Sequence, residues 1–246
     1  RSADPHGRRD PGRRGAAPSV VWVGEPTLWG VLSAHKGIRD YEVHITGKAA
    51  HSSDPRMGAS AIHEAIDLLV TLRRIAREQE EAAPKNSEFD PSWTTITVGE
   101  IGGGTAANIL ARECRFVFDV RTVPGNNPDA MLQPFFDQVA AAHARLSKLG
   151  PECGIEVKLT ADAPPMELRR DSAAEAFMRA LTGDNAVRVA AFATEGGQFQ
   201  KAGFPAVICG PGSVEQAHQP NEFVAVSEIE KGLQVFSRFL DTLRAG

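Results

Sequence analysis

Two histidines and two glutamates stand where this chain's chemistry can be placed. His218 lies in Cys209-Gly-Pro-Gly-Ser…Gln216-Ala-His-Gln-Pro-Asn-Glu222, a turn-rich loop after the short apolar run Ala206-Val-Ile-Cys209. An imidazole there can reach a metal or ligand without disturbing a core, or it can merely satisfy a turn; single motif matches often arise by chance. Glu25 precedes Pro26 in a tight turn after the apolar run Val20–Val23, where by position alone it reads as a surface carboxylate. His51 follows Gly47-Lys-Ala-Ala, small residues that let another chain approach closely. Glu195, in Thr194-Glu-Gly-Gly, by position alone reads as an acidic helix N-terminus favoured by the macrodipole.

Other candidates read more plainly. Gly102-Gly-Gly-Thr-Ala-Ala-Asn108 is rich in glycine, but no Lys-Ser/Thr helix start follows it, so it is not a phosphate cradle. His35, His44, His63 and His143 fall on strand or helix faces with no surrounding motif and read as structural. The chain has 246 residues and 42% hydrophobic content, enough to bury one or two cores. A net charge of −4, spread along the sequence, gives no reason to expect nucleic acid or a membrane surface as a partner. Cys114, Cys153 and Cys209 are odd in number and lack CxxC spacing, which suits free thiols in a reducing, cytoplasmic setting.

Gly24-Glu25-Pro-Thr, Gly47-Lys-Ala-Ala-His51-Ser, Thr194-Glu195-Gly-Gly and Gly210-Pro-Gly-Ser213…Gln-Ala-His218-Gln-Pro-Asn-Glu222 occur in an order that resembles the acetylornithine deacetylase branch of the M20 metallopeptidase-like amidohydrolases. The likeness runs from about Val20 to the C-terminus. It implies zinc-dependent removal of an acyl group from an N-acyl amino acid, with two zinc ions (cobalt being an accepted substitute). Glu25 and His218 match one metal ligand each. His51 matches a histidine that reaches across a homodimer to bond the tetrahedral oxyanion. Asn108 and Arg121 match substrate-binding positions of the lid, where a planar guanidinium can bond an α-carboxylate twice. Gly210 and Ser213, in the Gly-Pro-Gly-Ser motif, are carried over as substrate contacts, and Glu195 as the residue that attracts a positively charged side chain. A related N-acyl-amino-acid deacylase or dipeptidase is the alternative substrate class.

In that family the His-x-Asp motif, the bridging aspartate and a Glu-Glu pair precede the stretch matched here. One ligand per ion does not hold zinc. The expectation is therefore a truncated and inactive enzyme, or a dimerisation module without catalysis. Residues 1–19 hold five arginines, three prolines and three glycines and no apolar residue larger than alanine, which predicts disorder or a reading-frame artefact.

Periodicity places these residues on elements. Tyr41, Val43 and Ile45 alternate with polar neighbours as a strand. Ile62, Ile66, Leu69, Leu72 and Ala76 fall at helical spacing. Thr94–Ile101 and the alternating Cys114, Phe116, Phe118, Val120 predict two more strands. Asn127-Pro-Asp129 opens a helix to about Leu149, with Gly150 as C-cap and Pro134 expected to kink or delay it. Ile155, Val157 and Leu159 close a β-α-β-β-α-β order, the ferredoxin-like sandwich. Asp171 is expected to cap a helix from Ser172 to Leu181, Val187–Ala193 and Ala206–Cys209 to be strands buried on both faces, and Ser227-Glu-Ile-Glu230 to be a capping box. The fold class is α/β: residues 20–37 and 161–246 as part of a zinc-peptidase-like catalytic domain, interrupted at 38–160 by a lid and dimerisation domain. Such a partial sheet would expose an unpaired edge and apolar faces.

Overall fold

The strand Glu113–Thr122 (β5) shows why the chain folds as it does. Its alternate residues Cys114, Phe116, Phe118 and Val120 are buried, and its charged residues lie on the opposite face. In the computed structural model, which describes residues 20–245, β5 is a central strand of a four-stranded antiparallel sheet. The order of that sheet is Thr95–Gly103 (β4), β5, Gly37–Thr46 (β3), Gly154–Ala163 (β6). The helices Ala61–Glu81 (α1) and Pro128–Leu146 (α2) cover one face of it. Their core is aromatic: Tyr41 stacks on Phe118 at 4.9 Å, and Phe135 meets Phe118 edge-on at 5.2 Å. The β3-α1-β4-β5-α2-β6 order is the ferredoxin-like pattern anticipated above.

Several boundaries differ from expectation, each for a local reason. Helix α1 is turned relative to the predicted stripe: Ala61, Ala65, Leu68, Leu72 and Ile75 are buried, while Ile66 is 49% exposed. The small alanines let the helix sit close to the sheet, and Ile62, Leu69 and Ala76, partly buried, take its margin. Asn127 caps α2 by accepting from the N–H groups of Asp129 and Ala130. That helix begins at Pro128, runs through Pro134 and stops at Leu146, so its C-cap is Ser147 and not Gly150.

A second, smaller sheet carries the other candidate residues. Its order is Val21–Val23 (β1), Ala206–Ile208 (β8), Leu32–His35 (β2), Arg188–Ala190 (β7). β8 is buried throughout, but β7 is a three-residue edge strand exposed at Arg188, so the longer doubly buried strand expected at Val187–Ala193 does not form. The helix Ala173–Thr182 (α3) is capped by the Ser172 hydroxyl rather than by Asp171, and closes on Gly183 at φ 79°, as glycine allows. The short helix Gly196–Lys201 (α4) follows Glu195. The last helix, Val226–Ala245 (α5), starts one residue before Ser227, which leaves that serine inside the first turn.

Helix α5 packs through Val235 and Phe239. Leu233, Phe236, Leu240 and Leu243 are all exposed, beside an apolar cavity of about 430 Å³ lined by Trp22, Trp29, Ile229, Leu233 and Phe236. β1, at the end of the sheet, has one unpaired side among the described residues. The anticipated open edge and bare apolar face are both present. Among the described residues, no helix is long and apolar enough to cross a membrane.

The phase of α1 is testable by chemical denaturation at low protein concentration. Leu68→Ala is expected to cost about 2–5 kcal/mol, as a cavity in a closed core. Ile66→Ala is expected to stay within about 0.5 kcal/mol, as a surface change. A larger loss for Ile66→Ala than for Leu68→Ala would mean that the predicted stripe, and not the observed one, faces the core.

Candidate active site

Five of the eight candidate residues meet at one end of the smaller sheet. Glu25 leaves β1 into the turn Pro26–Gly30, whose Leu28 and Trp29 both take left-handed backbone angles (φ 53° and 61°). That turn is held by the Gly210–Ser213 loop. The N–H groups of Thr27 and Trp29 donate to the Gly210 carbonyl, that of Leu28 donates to Gly212, and Thr27 bridges Ser213. Gly210 returns its own N–H to Thr27 Oγ1 at 3.1 Å. A Cβ at position 210 would stand 2.6 Å from the Glu25 carbonyl oxygen, so only glycine permits this approach. Gly210 therefore fixes the place of Glu25, and its N–H is already engaged.

Electrostatics join Glu25 to two more residues. Burial pushes its carboxyl pKa up, the nearby charge of Glu195 pushes it further, and His218 pulls it down. Two carboxylates and an imidazole thus lie within reach of each other's charge. His218 holds a left-handed backbone (φ 61°), which is uncommon outside glycine, and its N–H donates to Glu222 Oε2 at 3.2 Å. Glu195 is exposed at the N-cap of α4 and makes no capping hydrogen bond, so its carboxylate is not used up by the helix end.

The other three residues sit on the larger sheet. Arg121 is at the end of β5 nearest the smaller sheet, opposite Ile38 and Thr95. Its Nε donates to Asp119, and the pair stands beside Asp40, whose carboxyl is raised by burial and by Asp119. His51 and Asn108 lie together past the opposite end. There the pairing of β3 with β5 continues: Gly47 N–H donates to Arg112, Leu110 N–H to Ala50 and Ser52 N–H to Asn108, and His51 bridges Ile109. Ten strand residues at about 3.3 Å each separate the two ends by roughly 30 Å. The ring of His51 is exposed. Its Nδ1 accepts the Ser53 N–H at 3.2 Å and lies 2.7 Å from Ser53 Oγ, which leaves Nε2 as the outward N–H donor of the neutral ring.

His35, read as structural above, proves to belong to this end of the molecule. It is fully buried and accepts the Gly197 N–H on Nε2, while Nδ1 stands 2.7 Å from the Lys36 carbonyl. No spacing in the sequence signals it, because its partner is 162 residues away. His44 and His143 are engaged by Glu42 and by the Ile155 N–H respectively.

Metal chemistry fits this end in kind but not in number. Glu25 and His218 offer an oxygen and a nitrogen donor suited to zinc, which takes three or four protein ligands. Among the described residues, no three His, Cys, Asp or Glu side chains stand together closely enough to hold a metal ion.

An antiparallel ferredoxin-like sandwich set into a mixed α/β sheet is the fold of the M20 peptidases. It is shared with an aminopeptidase of Bacillus cereus (TM-score 0.61, 17% identity, 85% of this chain and 52% of that one). It is shared too with an M20 family metallo-carboxypeptidase of Sulfolobus solfataricus (TM-score 0.60, 17% identity, 86% of this chain and 59% of that one). Residues 33–146 match the family model described as a peptidase dimerisation domain, and the chain belongs to the M20 family. It is 33% identical over 220 residues to the acetylornithine deacetylase of Myxococcus xanthus, covering 88% of this chain and 55% of that protein. It is also 33% identical to that of Proteus mirabilis, covering 91% of this chain and 56% of that protein. The chain thus spans about half the length of the curated relatives it matches.

The shared field at Glu25 gives a direct test. Glu195→Gln is expected to lower the Glu25 titration midpoint, since it removes a charge that raises it. Carboxyl-carbon NMR across the acidic range reads this. An unmoved midpoint would place the two carboxylates too far apart to share a site.

Proposed function

We propose that this chain is the lid-bearing part of a zinc-dependent amide hydrolase that removes the acetyl group from N-acetylornithine, a step of arginine biosynthesis. The observation that carries the reading is the division of the candidate residues. Glu25, Glu195 and His218 share one field, whereas His51 and Asn108 lie roughly 30 Å away, at the far end of a strand too stiff to fold back. A second copy, paired through the lid, is what brings that far end to a site. The names of the two relatives at 33% identity support the substrate class. The peptidase dimerisation match supports a homodimer, with residues 38–160 as the lid domain.

In this reading each side chain has a defined task. Glu195, free of any capping bond, attracts the amine of the substrate's side chain. Arg121, together with Asn108 of the neighbouring copy, binds the remainder of the substrate, which requires the Arg121 guanidinium to share itself with Asp119. His51 of the neighbouring copy donates from Nε2 to the carbonyl oxygen as it gains negative charge. A donor of that kind is worth about 3 kcal/mol in the transition state. Glu25 and His218 are the zinc ligands this chain offers, and by themselves they do not complete the site. The three free, buried cysteines support a reducing, cytoplasmic setting, and burial holds the Cys209 thiol up at about 11.

The incomplete donor set favours one other reading, a dimerisation module without catalysis. Elemental analysis for zinc, combined with an N-acetylornithine hydrolysis assay in added zinc, separates the two. Stoichiometric metal with turnover supports the hydrolase, and His51→Ala is then expected to lower kcat about 100-fold with the dimer intact by light scattering. A dimer with neither zinc nor turnover supports the module. Turnover of neutral N-acetyl amino acids alone would move the substrate to the related deacylases.

A further inference from the structure

The lid joins the smaller sheet through two crossings of the backbone, and α4 is fastened to both. The first crossing is His35-Lys36-Gly37, between β2 and β3; the second is Ala163–Met166, after β6. His35 and Met166 exchange backbone hydrogen bonds of 3.1 and 3.0 Å, so the two crossings form one ladder step. The His35 ring then reaches α4, where its Nε2 takes the Gly197 N–H at 3.0 Å. Because Nε2 accepts, the ring proton sits on Nδ1 and is donated to the Lys36 carbonyl, which fixes both the tautomer and the ring plane. Gln200, one turn on, fastens the same helix a second time. Its Oε1 accepts the Glu167 N–H at 2.8 Å, and its Nε2 donates to the Glu167 carbonyl at 2.9 Å.

Sterics tighten the joint. A Cβ on Gly197 would lie 2.0 Å from the Pro164 carbonyl oxygen. One on Gly196 would lie 2.9 Å from Met166 Sδ and 3.3 Å from His35 Nε2. The two glycines after Glu195 are thus needed so that α4 can press directly against the second crossing. With Gly196 and Gly197 pinned in this way, the backbone that carries Glu195 cannot move without the crossings.

We infer that His35 is a positioning residue: with Gln200 it locks the Glu195 loop to the lid crossings, so that the orientation of the lid sets where the Glu195 carboxylate stands beside Glu25 and His218. This rests on the reading of Glu195 as the group that selects a positively charged acyl amino acid, and it makes that selectivity depend on lid position.

Hydrogen–deuterium exchange of the full chain, read by mass spectrometry, tests the coupling without needing turnover. His35→Phe keeps the ring volume and removes both polar contacts. It is expected to speed exchange at least tenfold in peptides spanning 162–168 and 193–201, and to leave α1 (61–81) at its original rate. His35→Gln, whose amide offers one donor and one acceptor, is expected to restore most of the protection. Unchanged exchange over 193–201 in His35→Phe overturns the inference. Should His35→Phe loosen α1 as well, Gln200→Met decides with the ring in place: faster exchange confined to the two segments supports the coupling, and no change there overturns it. For a chain that hydrolyses N-acetylornithine, His35→Phe is expected to raise its KM several-fold with kcat within twofold, and to leave the KM of a neutral N-acetyl amino acid unchanged. An equal rise for both substrates overturns the selectivity role. A chain that hydrolyses neither substrate counts against the hydrolase reading alone, and the exchange pattern then decides the coupling.

Discussion

The two-way hydrogen bonding of His35 with Met166 is the constraint on which the rest of the architecture depends. It ties the point where the chain leaves the smaller sheet to the point where it returns, so everything between Gly37 and Ala163 closes on itself. A loop of that length would cost chain entropy to close if it were floppy. Here it is held by pairing, because β3 is matched along its whole length by β5 and from Ile38 to Thr46 by β6. The strands that begin at the crossing run away from it without interruption, and the position of His51 and Asn108 follows from that.

The two sheets differ in how far each satisfies itself. The core of the larger sheet is continuous, with Phe116, Phe118, Phe135, Leu68, Leu72 and Leu132 fully buried. Around the smaller sheet the buried set is split into two clusters, and large apolar groups of α5 remain in water. At roughly 25 cal/mol per Å² of apolar area, an uncovered stripe of this kind leaves substantial stabilisation unrealised. Trp22 stacked on Phe236 at 5.2 Å covers only part of it. The larger sheet with α1 and α2 therefore encloses a core of its own, and the smaller sheet meets it at the crossings and α4.

What could be read from the sequence divides along the same physical line. The alternation Cys114-Phe116-Phe118-Val120 was legible because a central strand covered on one face must show a period of two. The cap at Asn127 was legible because capping is a local event. The phase of α1 was not, because Ala61 and Ala65 pack closest to the sheet precisely for being small, and a search for large apolar residues passes over them. On α5 the apolar period is legible, but periodicity reports that a face is apolar and not what covers it. Glu25, Glu195 and His218 were visible only as motif fragments, and their shared field appears once 170 residues and more of intervening chain have folded. His35 was illegible: nothing in Leu-Ser-Ala-His points to a backbone N–H across the molecule.

The glycines make the same point from the opposite direction. Gly-rich stretches invite a ligand-binding reading, because bare backbone can approach a phosphate or carboxylate. At Gly196, Gly197 and Gly210 the backbone does approach something closely, but that something is the protein itself: Met166, the Pro164 carbonyl and the Glu25 carbonyl. Each of the three brings a chemistry-bearing residue against a rigid part of the fold, Glu195 against the lid crossings and Glu25 against the Gly210 loop. Substituting any of them would move a carboxylate without touching it. The Thr-Glu-Gly-Gly and Gly-Pro-Gly-Ser motifs are therefore best understood as packing solutions that hold the backbone of Glu195 and Glu25 in place.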